Sequence, residues 1–372
     1  MKKIATITFH GAHNFGSSLQ SYALQTFTQN LFKEKGKECA YSVINYRTKF
    51  QKELYSYLIK PKGIKDLVKY FMRLPYLKQY KRKWSKFEEF INHTLNTGVE
   101  VNSTDRLIEF YGDNDVYISG SDQIWNVRSR DFDEVYYLTF LSDKKKISYS
   151  ASFGPLEINW DKYDKEKISC ALNDYSAISV REEGSLKNVK LLTDKNADIH
   201  VDPTLLLTKD EWIEFGSKRN YKNGEYILMY CLEPSKEQLK MAKRISKYLK
   251  LPIVVTRYNN KNDYFNSFKK LYDTGPKDFI SLIHNAKFVI TSSFHGTAFS
   301  IILQKPFFAL DGATDRRISN ILNLTDLSDR AVDANNLEDK LLKAYDLSFD
   351  NSVKAIEKEI TKAKEYLWSN LQ

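Results

Sequence analysis

A polar turn between an apolar strand and an apolar helix is the strongest pattern for chemistry in this sequence. The strand is predicted over Phe288–Thr291, and the residues after it that suit a ligand site are Ser293, His295, Gly296 and Thr297. Backbone N–H groups at a helix start bind anions, and glycine lets a phosphate approach the backbone. The pattern predicts an anion site in which His295 transfers a proton near neutral pH. The alternative is that this histidine only caps the helix.

A second polar turn follows the strand predicted over Asp115–Ser119 and reads Gly-Ser-Asp-Gln-Ile-Trp. It places a hydroxyl, a carboxylate and an amide beside an indole ring, at Ser121, Asp122, Gln123 and Trp125. Proteins commonly hold sugars with this mixture, because the polar groups bind hydroxyls and the aromatic face covers the C–H side. The turn therefore predicts a sugar site, and the alternative is an ordinary turn with a tryptophan in the core.

A third candidate is Arg181, at the carboxyl end of the strand predicted over Ala177–Val180. Ligands bind at this end of the strands in open parallel sheets, and arginine binds carboxylates and phosphates through paired hydrogen bonds. The position predicts capture of an anion. The alternative is a salt bridge to Glu182 or Glu183.

The first predicted strand-to-helix turn contains Asn14 and Gly16, and it is polar and small enough to line a ligand site. It lacks the G-x-G-x-x-G pattern, so no nicotinamide cofactor is indicated, and the sequence has no Walker loop either. His10 and His13 lack the carboxylate or cysteine spacing of a metal site. We therefore interpret them as polar groups at the strand end and expect no metal.

A sheet must position these turns, and short apolar strands do alternate with amphipathic helices along the chain. This alternation is typical of an α/β fold with helices on both faces of a parallel sheet. The predicted strands are Ile4–Phe9, Cys39–Ile44, Asp115–Ser119, Lys146–Ser150, Ala177–Val180, Tyr226–Leu232, Ile253–Thr256, Phe288–Thr291 and Phe307–Leu310. Helices are predicted over Ser18–Phe32 and Ser235–Lys250, and from Pro276, Gly296 and Ser352.

The length and a fresh strand–helix series after residue 205 predict two domains. We expect an N-terminal domain over 1–205, with a basic, aromatic helical insertion at 47–91, a C-terminal domain over 206–345 and a last helical segment over 346–372. The last helix has an apolar stripe and must therefore dock on another part of the protein.

Composition limits the partners and the compartment. The 372 residues include 57 Lys and Arg against 47 Asp and Glu, a net charge of +10, which favours anionic partners or simply solubilises exposed helices. The three cysteines show neither disulfide nor metal spacing, which fits a reducing compartment. No apolar stretch approaches the ~20 residues of a membrane span, and no nucleic-acid module is recognised. We expect a cytoplasmic protein that binds no nucleic acid.

Several segments, in this order, carry a resemblance: HNFGSSLQSYALQ, YISGSDQIWN, ISVREEG, VDPTLLL, and SSFHGTAFSIILQKPFFAL followed by Arg317-Ile318. They resemble the polysaccharide pyruvyl transferase family over about residues 4–330. The resemblance implies a glycosyltransferase-B-like fold, with two Rossmann-like domains facing across a cleft and the last helix returning to the first domain. It also implies transfer of a pyruvyl group from phosphoenolpyruvate to a sugar diol of a surface polysaccharide, such as capsule or exopolysaccharide, or of its precursor. The products are a pyruvate ketal and phosphate, and no metal or cofactor is required.

Residues carried over by position divide into a donor side and an acceptor side. His295 matches the family's proposed general acid and Arg181 a donor-binding arginine, whereas Ser293 stands where some members have a second arginine. Candidates to replace that cation are Arg257, Arg316 and Arg317. The predicted donor side is Arg181, Ser293, Gly296, Thr297 and Arg317, and the predicted acceptor side is Asn14, Gly16, Ser121, Gln123 and Trp125. Asp122 is the candidate base, argued from its place at a strand end.

Two other functions stay open at this point. One is a nucleotide-sugar glycosyltransferase of the same fold, which would release no phosphate from phosphoenolpyruvate. The other is a non-catalytic carbohydrate-binding pseudoenzyme, because Ser293 departs from the family's pattern.

The insertion has thirteen basic residues between 47 and 86, opposed by Glu53 and Asp66, with aromatic residues interleaved. Basic and aromatic residues together favour an anionic membrane surface, where a lipid-linked oligosaccharide acceptor would be held. The alternative is a helical pair whose aromatic rings pack on the first domain while its lysines are solvated.

Overall fold

The computed structural model describes residues 1–58, 63–256, 266–310 and 312–372. Its strands are β1 (Lys2–Ile7), β2 (Cys39–Val43), β3 (Val116–Ser119), β4 (Lys145–Ser148), β5 (Ile178–Val180), β6 (Ala197–Ile199), β7 (Ile227–Tyr230), β8 (Ile253–Val255), β9 (Lys269–Lys270), β10 (Phe288–Thr291), β11 (Phe307–Leu310) and β12 (Ala331–Val332). Its helices are α1 (Phe15–Glu34), α2 (Lys49–Leu54), α3 (Ile64–Arg73), α4 (Leu77–His93), α5 (Thr104–Tyr111), α6 (Lys165–Asn173), α7 (Glu183–Leu192), α8 (Lys209–Phe215), α9 (Lys236–Leu249), α10 (Pro276–Asn285), α11 (Phe294–Ile302), α12 (Arg316–Leu324), α13 (Leu337–Leu342) and α14 (Asp350–Leu371).

The chain divides into two units, each formed from separate stretches of sequence. The first contains Met1–Tyr55, Glu88–Leu207 and Glu357–Gln372, and the second contains Ser56–Phe87 and Thr208–Ile356. The change of unit after Leu207 lies two residues beyond the boundary expected at 205.

The segment 56–87 belongs to the second unit, which corrects the expectation of an insertion in the N-terminal domain. Aromatic contacts explain this placement. The Tyr80 ring stacks on Tyr272 with centroids 5.4 Å apart, and the Tyr76 ring meets Tyr272 edge-on at 5.1 Å. Lys86 Nζ lies 2.5 Å from Asp278 Oδ2, which adds an ion pair within the same unit.

The first unit contains a parallel sheet in the order β2-β1-β3-β4. Isolated bridges from Ile147 to Ala177 and from Ala151 to Val180 continue it to β5, which pairs in parallel with β6. The chain leaves β1 toward β2 on one side and returns to β3 on the other, so the strand order reverses between β1 and β3. Ligands in open α/β sheets bind at the carboxyl ends of the strands at such a switch point.

The second unit contains a parallel sheet in the order β12-β11-β10-β7-β8-β9. Its strand order reverses between β7 and β10, both fully buried. Two serines, Ser292 and Ser293, follow β10, and α11 begins after them at Phe294. The second switch point therefore coincides with the turn that the sequence singled out.

The last helix, α14, crosses from the second unit to the first at Glu357. On the first unit, the Tyr366 hydroxyl donates to the Ser148 carbonyl at 2.8 Å. The Trp368 ring meets Phe32 edge-on at 5.4 Å. These contacts dock the C-terminal part of the helix on the first unit. In the part of the chain that the structure describes, no helix combines the length and apolar character needed to cross a membrane.

Candidate functional site

Two of the predicted turns meet at the switch point of the first sheet. The Thr8 hydroxyl, just after β1, donates to the Ser121 carbonyl, just after β3, at 3.1 Å. The Ser17 hydroxyl in the first turn of α1 donates to Asp122 Oδ2 at 2.5 Å. Asp122 has a φ of 71°, a left-handed conformation that is uncommon outside glycine but tolerated by short polar residues. Asp122 is therefore fixed both by its backbone and by Ser17.

Arg181 follows β5, and its guanidinium is buried among three carboxylates. Its Nη1 donates to Asp202 Oδ2 at 3.0 Å and lies 3.8 Å from Asp122 Oδ1. Its Nε donates to Glu182 Oε2 at 3.2 Å, and the side chain is only 3% exposed. The salt bridge to Glu182 that the sequence left open is therefore present, together with two further carboxylates.

Hydroxyl groups complete this network. Ser121 Oγ donates to Asp202 Oδ2 at 3.2 Å, and Ser152 Oγ donates to Glu182 Oε1 at 2.8 Å. The Thr204 amide and hydroxyl both donate to Asp202 Oδ1, at 3.0 and 2.8 Å. The sequence reasoning missed Asp202, although its Asp-Pro-Thr context is a recognisable signal, since aspartate often accepts from the backbone two residues later.

The charge balance of the network argues against the predicted donor-binding role of Arg181. Burial acts to lower the pKa of Arg181, but the carboxylates of Glu182, Asp202 and Asp122 outweigh burial and raise it. One guanidinium among three carboxylates leaves an excess of negative charge, which repels an incoming phosphate. In this conformation Arg181 holds the carboxylates in place instead of forming an open anion receptor.

Two predicted acceptor residues differ in their exposure. Trp125 is fully buried, its Nε1 donates to Ser119 Oγ at 2.9 Å, and its ring stacks on Tyr137 with centroids 5.4 Å apart. It supports the turn from the core, which was the alternative interpretation, and offers no face to a sugar. Gln123 is partly exposed, and its Oε1 accepts from Asn126 Nδ2 at 2.9 Å.

Asn14 and Gly16 lie at the start of α1, in the same unit as Asp122. Asn14 Oδ1 accepts from the Gly16 amide at 3.0 Å, so the predicted acceptor residue also caps the helix. This cap explains why α1 begins at Phe15, three residues before the predicted start at Ser18.

A charged cluster that the sequence reasoning missed lies beside this helix start. His13 Nε2 lies 2.8 Å from Glu88 Oε1, and Arg47 donates to both oxygens of Glu88 at 2.8 and 2.7 Å. Burial acts to raise the pKa of Glu88, but the hydrogen bonds from His13 and Arg47 prevail and lower it to about 2. No sequence signal connects these residues, because Glu88 lies 41 positions from Arg47 and 75 from His13.

At the switch point of the second sheet, Thr291 connects the ends of β7 and β10. Its hydroxyl donates to the Tyr230 carbonyl at 2.7 Å and accepts from the Ser293 amide at 3.0 Å. His295 is the second residue of α11 and is 8% exposed, with its ring edge-on to Phe294 at 5.1 Å. The helix begins at Phe294, two residues before the predicted start at Gly296, so His295 lies within its first turn.

Packing against the sheet, and not the approach of a ligand, explains the glycine at position 296. A Cβ there would lie 2.1 Å from Thr291 Oγ1 and 3.1 Å from Tyr230 Cδ1, so the glycine lets α11 pack closely on the sheet. The Thr297 amide and hydroxyl both donate to the Ser293 carbonyl, at 3.0 and 3.2 Å. The prediction that Gly296 and Thr297 form an anion site at the helix start therefore needs correction. The Thr297 amide is already used in the helix, and amides nearer the helix start are better placed.

The three arginines proposed to replace the missing cation differ in their surroundings. Arg317 binds Asp315 through two hydrogen bonds, from Nε at 3.1 Å and from Nη2 at 2.7 Å, and this pairing lowers the pKa of Asp315 against the opposing effect of burial. Arg316 is exposed at the start of α12. Arg257 lies outside the described residues. Arg317 therefore has a carboxylate partner, and its predicted contact with the donor would require that pair to open.

Comparison with solved structures supports the fold. The chain is similar to UDP-N-acetylglucosamine 2-epimerase from Rickettsia bellii, with a TM-score of 0.53 and 11% identity over 99% of this chain and 98% of that one. It is also similar to the UDP-GlcNAc 2-epimerase from Neisseria meningitidis bound to UDP-GlcNAc, with a TM-score of 0.51 and 11% identity over 100% of both chains. At such low identity the likeness shows the fold alone. It confirms the α/β class with two Rossmann-like domains of the glycosyltransferase-B type.

Comparison by sequence gives the family. No curated protein matches the chain. The family model described as polysaccharide pyruvyl transferase matches residues 14–313, which is most of the chain and includes Asp122, Arg181 and His295 but not Arg317. The match agrees with the motifs that carried the resemblance. The chain therefore belongs to the polysaccharide pyruvyl transferase family, a family of transferases in polysaccharide biosynthesis.

Proposed function

We propose that this protein transfers the pyruvyl group of phosphoenolpyruvate to two hydroxyls of a sugar, forming a pyruvate ketal and releasing phosphate. The observation that carries the proposal is the position of His295, in the first turn of α11 at the second unit's switch point and within the family match. The acceptor is a surface polysaccharide or its lipid-linked precursor.

The second unit supplies the features that a phosphoenolpyruvate site needs. The stretch from Phe288 to Leu303 contains no Asp or Glu, so no carboxylate of the turn itself repels an anion. The first-turn amides of α11 carry the positive end of the helix dipole, and Ser293 adds a hydroxyl. In this assignment Arg316 and Arg317 are the candidate cations, at the start of the following helix, α12, which packs on α11.

His295 acts as the general acid in the proposed mechanism. Its imidazolium gives a proton to the methylene carbon of phosphoenolpyruvate, so the C=C bond becomes a methyl group and an oxocarbenium-like centre. An acceptor hydroxyl attacks that centre and loses its proton to Asp122. The bond from carbon to the phosphate oxygen then breaks, and phosphate leaves with the proton from Asp122. A second hydroxyl attacks the same carbon and returns a proton to His295, which closes the ketal.

The first unit suits a polyhydroxy acceptor better than an anionic donor. Its carboxylates and hydroxyls, centred on Asp122, Glu182 and Asp202, accept hydrogen bonds from sugar hydroxyls, whereas their net negative charge disfavours phosphate. Ser17 already donates to Asp122 at 2.5 Å, so in the proposed reaction an acceptor hydroxyl takes over or extends that hydrogen bond. Gln123 and Asn14 are the partly exposed amides that extend this acceptor side.

A reaction with defined donors tests the proposal. The purified protein is incubated with phosphoenolpyruvate and a panel of oligosaccharides, free and lipid-linked, and phosphate release is followed together with the mass of the glycan. We expect phosphate release that depends on the acceptor, and a glycan heavier by one pyruvic acid less one water. Phosphate release without an acceptor would indicate simple hydrolysis.

Parallel reactions separate the two other functions. Glycan growth from a nucleotide sugar, with no consumption of phosphoenolpyruvate, would replace the proposal with a glycosyltransferase. Glycan binding without turnover of any donor, over the whole acceptor panel, would favour a carbohydrate-binding pseudoenzyme.

A further inference from the structure

Helix α3 presents an apolar stripe to solvent. Ile64 is 83% exposed, Leu67 44%, Val68 53% and Phe71 59%. These positions are spaced i, i+3, i+4 and i+7, so the four side chains lie on one face of the helix. Leu74, in the turn directly after the helix, is 42% exposed and extends the stripe.

The stripe is unusual because the apolar face of a helix in a globular protein normally faces the core. The neighbouring aromatic residues of the same segment do so, since Tyr80 stacks on Tyr272 and Tyr76 meets that ring edge-on. The segment is thus anchored to the second unit by α4 and the turn before it. Helix α3 itself keeps its apolar face exposed, and contiguous exposed apolar surface typically marks an interaction site.

The segment that carries the stripe is basic. The sequence of α3 has three basic residues and one acidic residue. Lys78 and Lys81, on the next helix, are exposed, and the chain carries a net charge of +10. An apolar stripe in basic surroundings fits a surface that is both apolar and anionic, such as a bilayer of acidic lipids.

We propose that α3 is an interfacial anchor that lies flat on an anionic lipid bilayer, with Ile64, Leu67, Val68 and Phe71 inserted between the headgroups. Ten residues make a helix about 15 Å long, too short for the ~30 Å hydrocarbon core, so the helix lies in the plane of the surface. A second copy of the chain is a poorer occupant. A two-fold interface would bring the same basic segment of both copies together, and like charges repel.

Co-sedimentation with vesicles tests this anchor with the intact protein. Vesicles of phosphatidylcholine with phosphatidylglycerol are compared with vesicles of phosphatidylcholine alone, at low and at high salt. We expect binding to the anionic vesicles at low salt, and at least tenfold weaker binding to the neutral ones. Binding should also weaken as salt shortens the Debye length from about 10 Å at 0.1 M to about 3 Å at 1 M.

Substitutions on the stripe separate insertion from simple charge attraction. The Ile64→Ser, Phe71→Ser double variant keeps every charge, and we expect it to lose at least tenfold in vesicle affinity. The matched control is Leu342→Ser, which replaces a 75% exposed leucine of α13 in the same unit and should bind as the wild type does. All these side chains are exposed, so the thermal unfolding midpoint should stay unchanged.

Three outcomes would overturn the anchor. The first is a wild-type protein that ignores anionic vesicles at low salt. The second is a double variant that binds them as tightly as the wild type does, because attraction would then rest on charge alone. The third is a dimer in analytical ultracentrifugation that the double variant abolishes, since a second copy would then cover the stripe. The vesicle assay does not depend on phosphoenolpyruvate turnover. A failure of the anchor can therefore be told apart from a failure of the proposed function, which is tested by turnover with a soluble acceptor.

Discussion

The carboxyl edges of the two sheets use charge in different ways. In the first unit, Arg181 is buried against Asp202 and Glu182, with Asp122 close by, so the one cation of this network is already paired and carboxylates are in excess. In the second unit, the stretch from Phe288 to Leu303 contains no Lys, Arg, Asp or Glu, and His295 is its one histidine. A charged residue at a strand end therefore does not by itself indicate an open anion site.

The proposed function gives the two edges separate tasks. In it, the fixed carboxylates and hydroxyls of the first unit bind the acceptor. A neutral turn with a helix start and one imidazole is a better place for an anionic donor in the second, because its backbone dipoles are not compensated by side-chain charge. We therefore expect a variant of His295 to lose turnover and a variant of Arg181 to lose stability.

The largest effect is expected for His295→Gln, which removes the proposed acid while keeping a polar side chain of similar size. Turnover of phosphoenolpyruvate should fall by roughly 10²–10⁴, and the unfolding midpoint should change little. Steady-state phosphate release measures the first quantity and thermal unfolding the second. His284→Gln, at a partly buried histidine of α10 in the same unit, is the matched control and should retain turnover. Near wild-type activity of His295→Gln would remove this residue from the chemistry.

The next effect tests whether Arg181 holds the first edge together. Arg181→Ala leaves the buried carboxylates of Asp202 and Glu182 without their cation, and breaking a buried ion pair in this way costs about 3–5 kcal/mol. We expect a loss of that size in the free energy of unfolding by urea. Arg316→Ala, at an exposed arginine, should change it by less than about 0.5 kcal/mol.

The same Arg181 variant also tests the earlier prediction that this residue binds the donor. Calorimetric titration with phosphoenolpyruvate measures the affinity directly. The structural role is contradicted if Arg181→Ala is as stable as Arg316→Ala but binds phosphoenolpyruvate more weakly than the wild type does. Arg181 would then belong to the donor site.

A smaller effect distinguishes packing from ligand approach at Gly296. Gly296→Ala places a Cβ 2.1 Å from Thr291 Oγ1, and overpacking of this kind costs about 2–3 kcal/mol, even with no ligand present. Gly184→Ala is the matched control, because a Cβ at that helical glycine meets no atom within 4 Å. Urea unfolding of both variants without phosphoenolpyruvate decides the point. Equal stability of the two would mean that the glycine serves the ligand and not the packing.

The sequence predicted the strands best where a short apolar run ends in polar residues. The predicted bounds Phe288–Thr291 and Phe307–Leu310 are those of β10 and β11. The short strands β6, β9 and β12 escaped prediction, because two or three residues carry no periodicity, and β9 consists of two lysines.

The sites were predictable as turns but not as networks. Local spacing located the turns that carry Asp122, Arg181 and His295, because strand ends and helix starts are encoded within a few residues. It could not show that Arg181 meets Asp202, 21 positions away, or that Tyr80 stacks on Tyr272. Such contacts depend on how the strands are ordered in the sheet, which a single sequence does not reveal.

The smallest effect concerns the pH dependence of stability at the charged first edge, through Glu88. The pKa of Glu88 is held at about 2, below its ordinary value of 4.5, by His13 and Arg47 in spite of burial. A carboxylate whose pKa is lowered on folding stabilises the protein above about pH 4.5, and this contribution is lost as the pH falls toward 2. Glu88→Gln should therefore cost about 1–2 kcal/mol at pH 7, because glutamine keeps a hydrogen bond but not the charge, and progressively less below pH 4.5. Burial also lowers the pKa of His10 and of His200, so both histidines make the folded protein less stable as the pH falls below about 6.5. This loss is the same in the wild type and in Glu88→Gln.

Urea unfolding from pH 7 to pH 3 measures the difference between the two proteins, with a variant of the exposed neighbour, Glu89→Gln, as control. A Glu88→Gln deficit that stayed constant down to pH 3 would show that the charge on Glu88 contributes nothing, and that the first edge is stabilised by its hydrogen bonds alone.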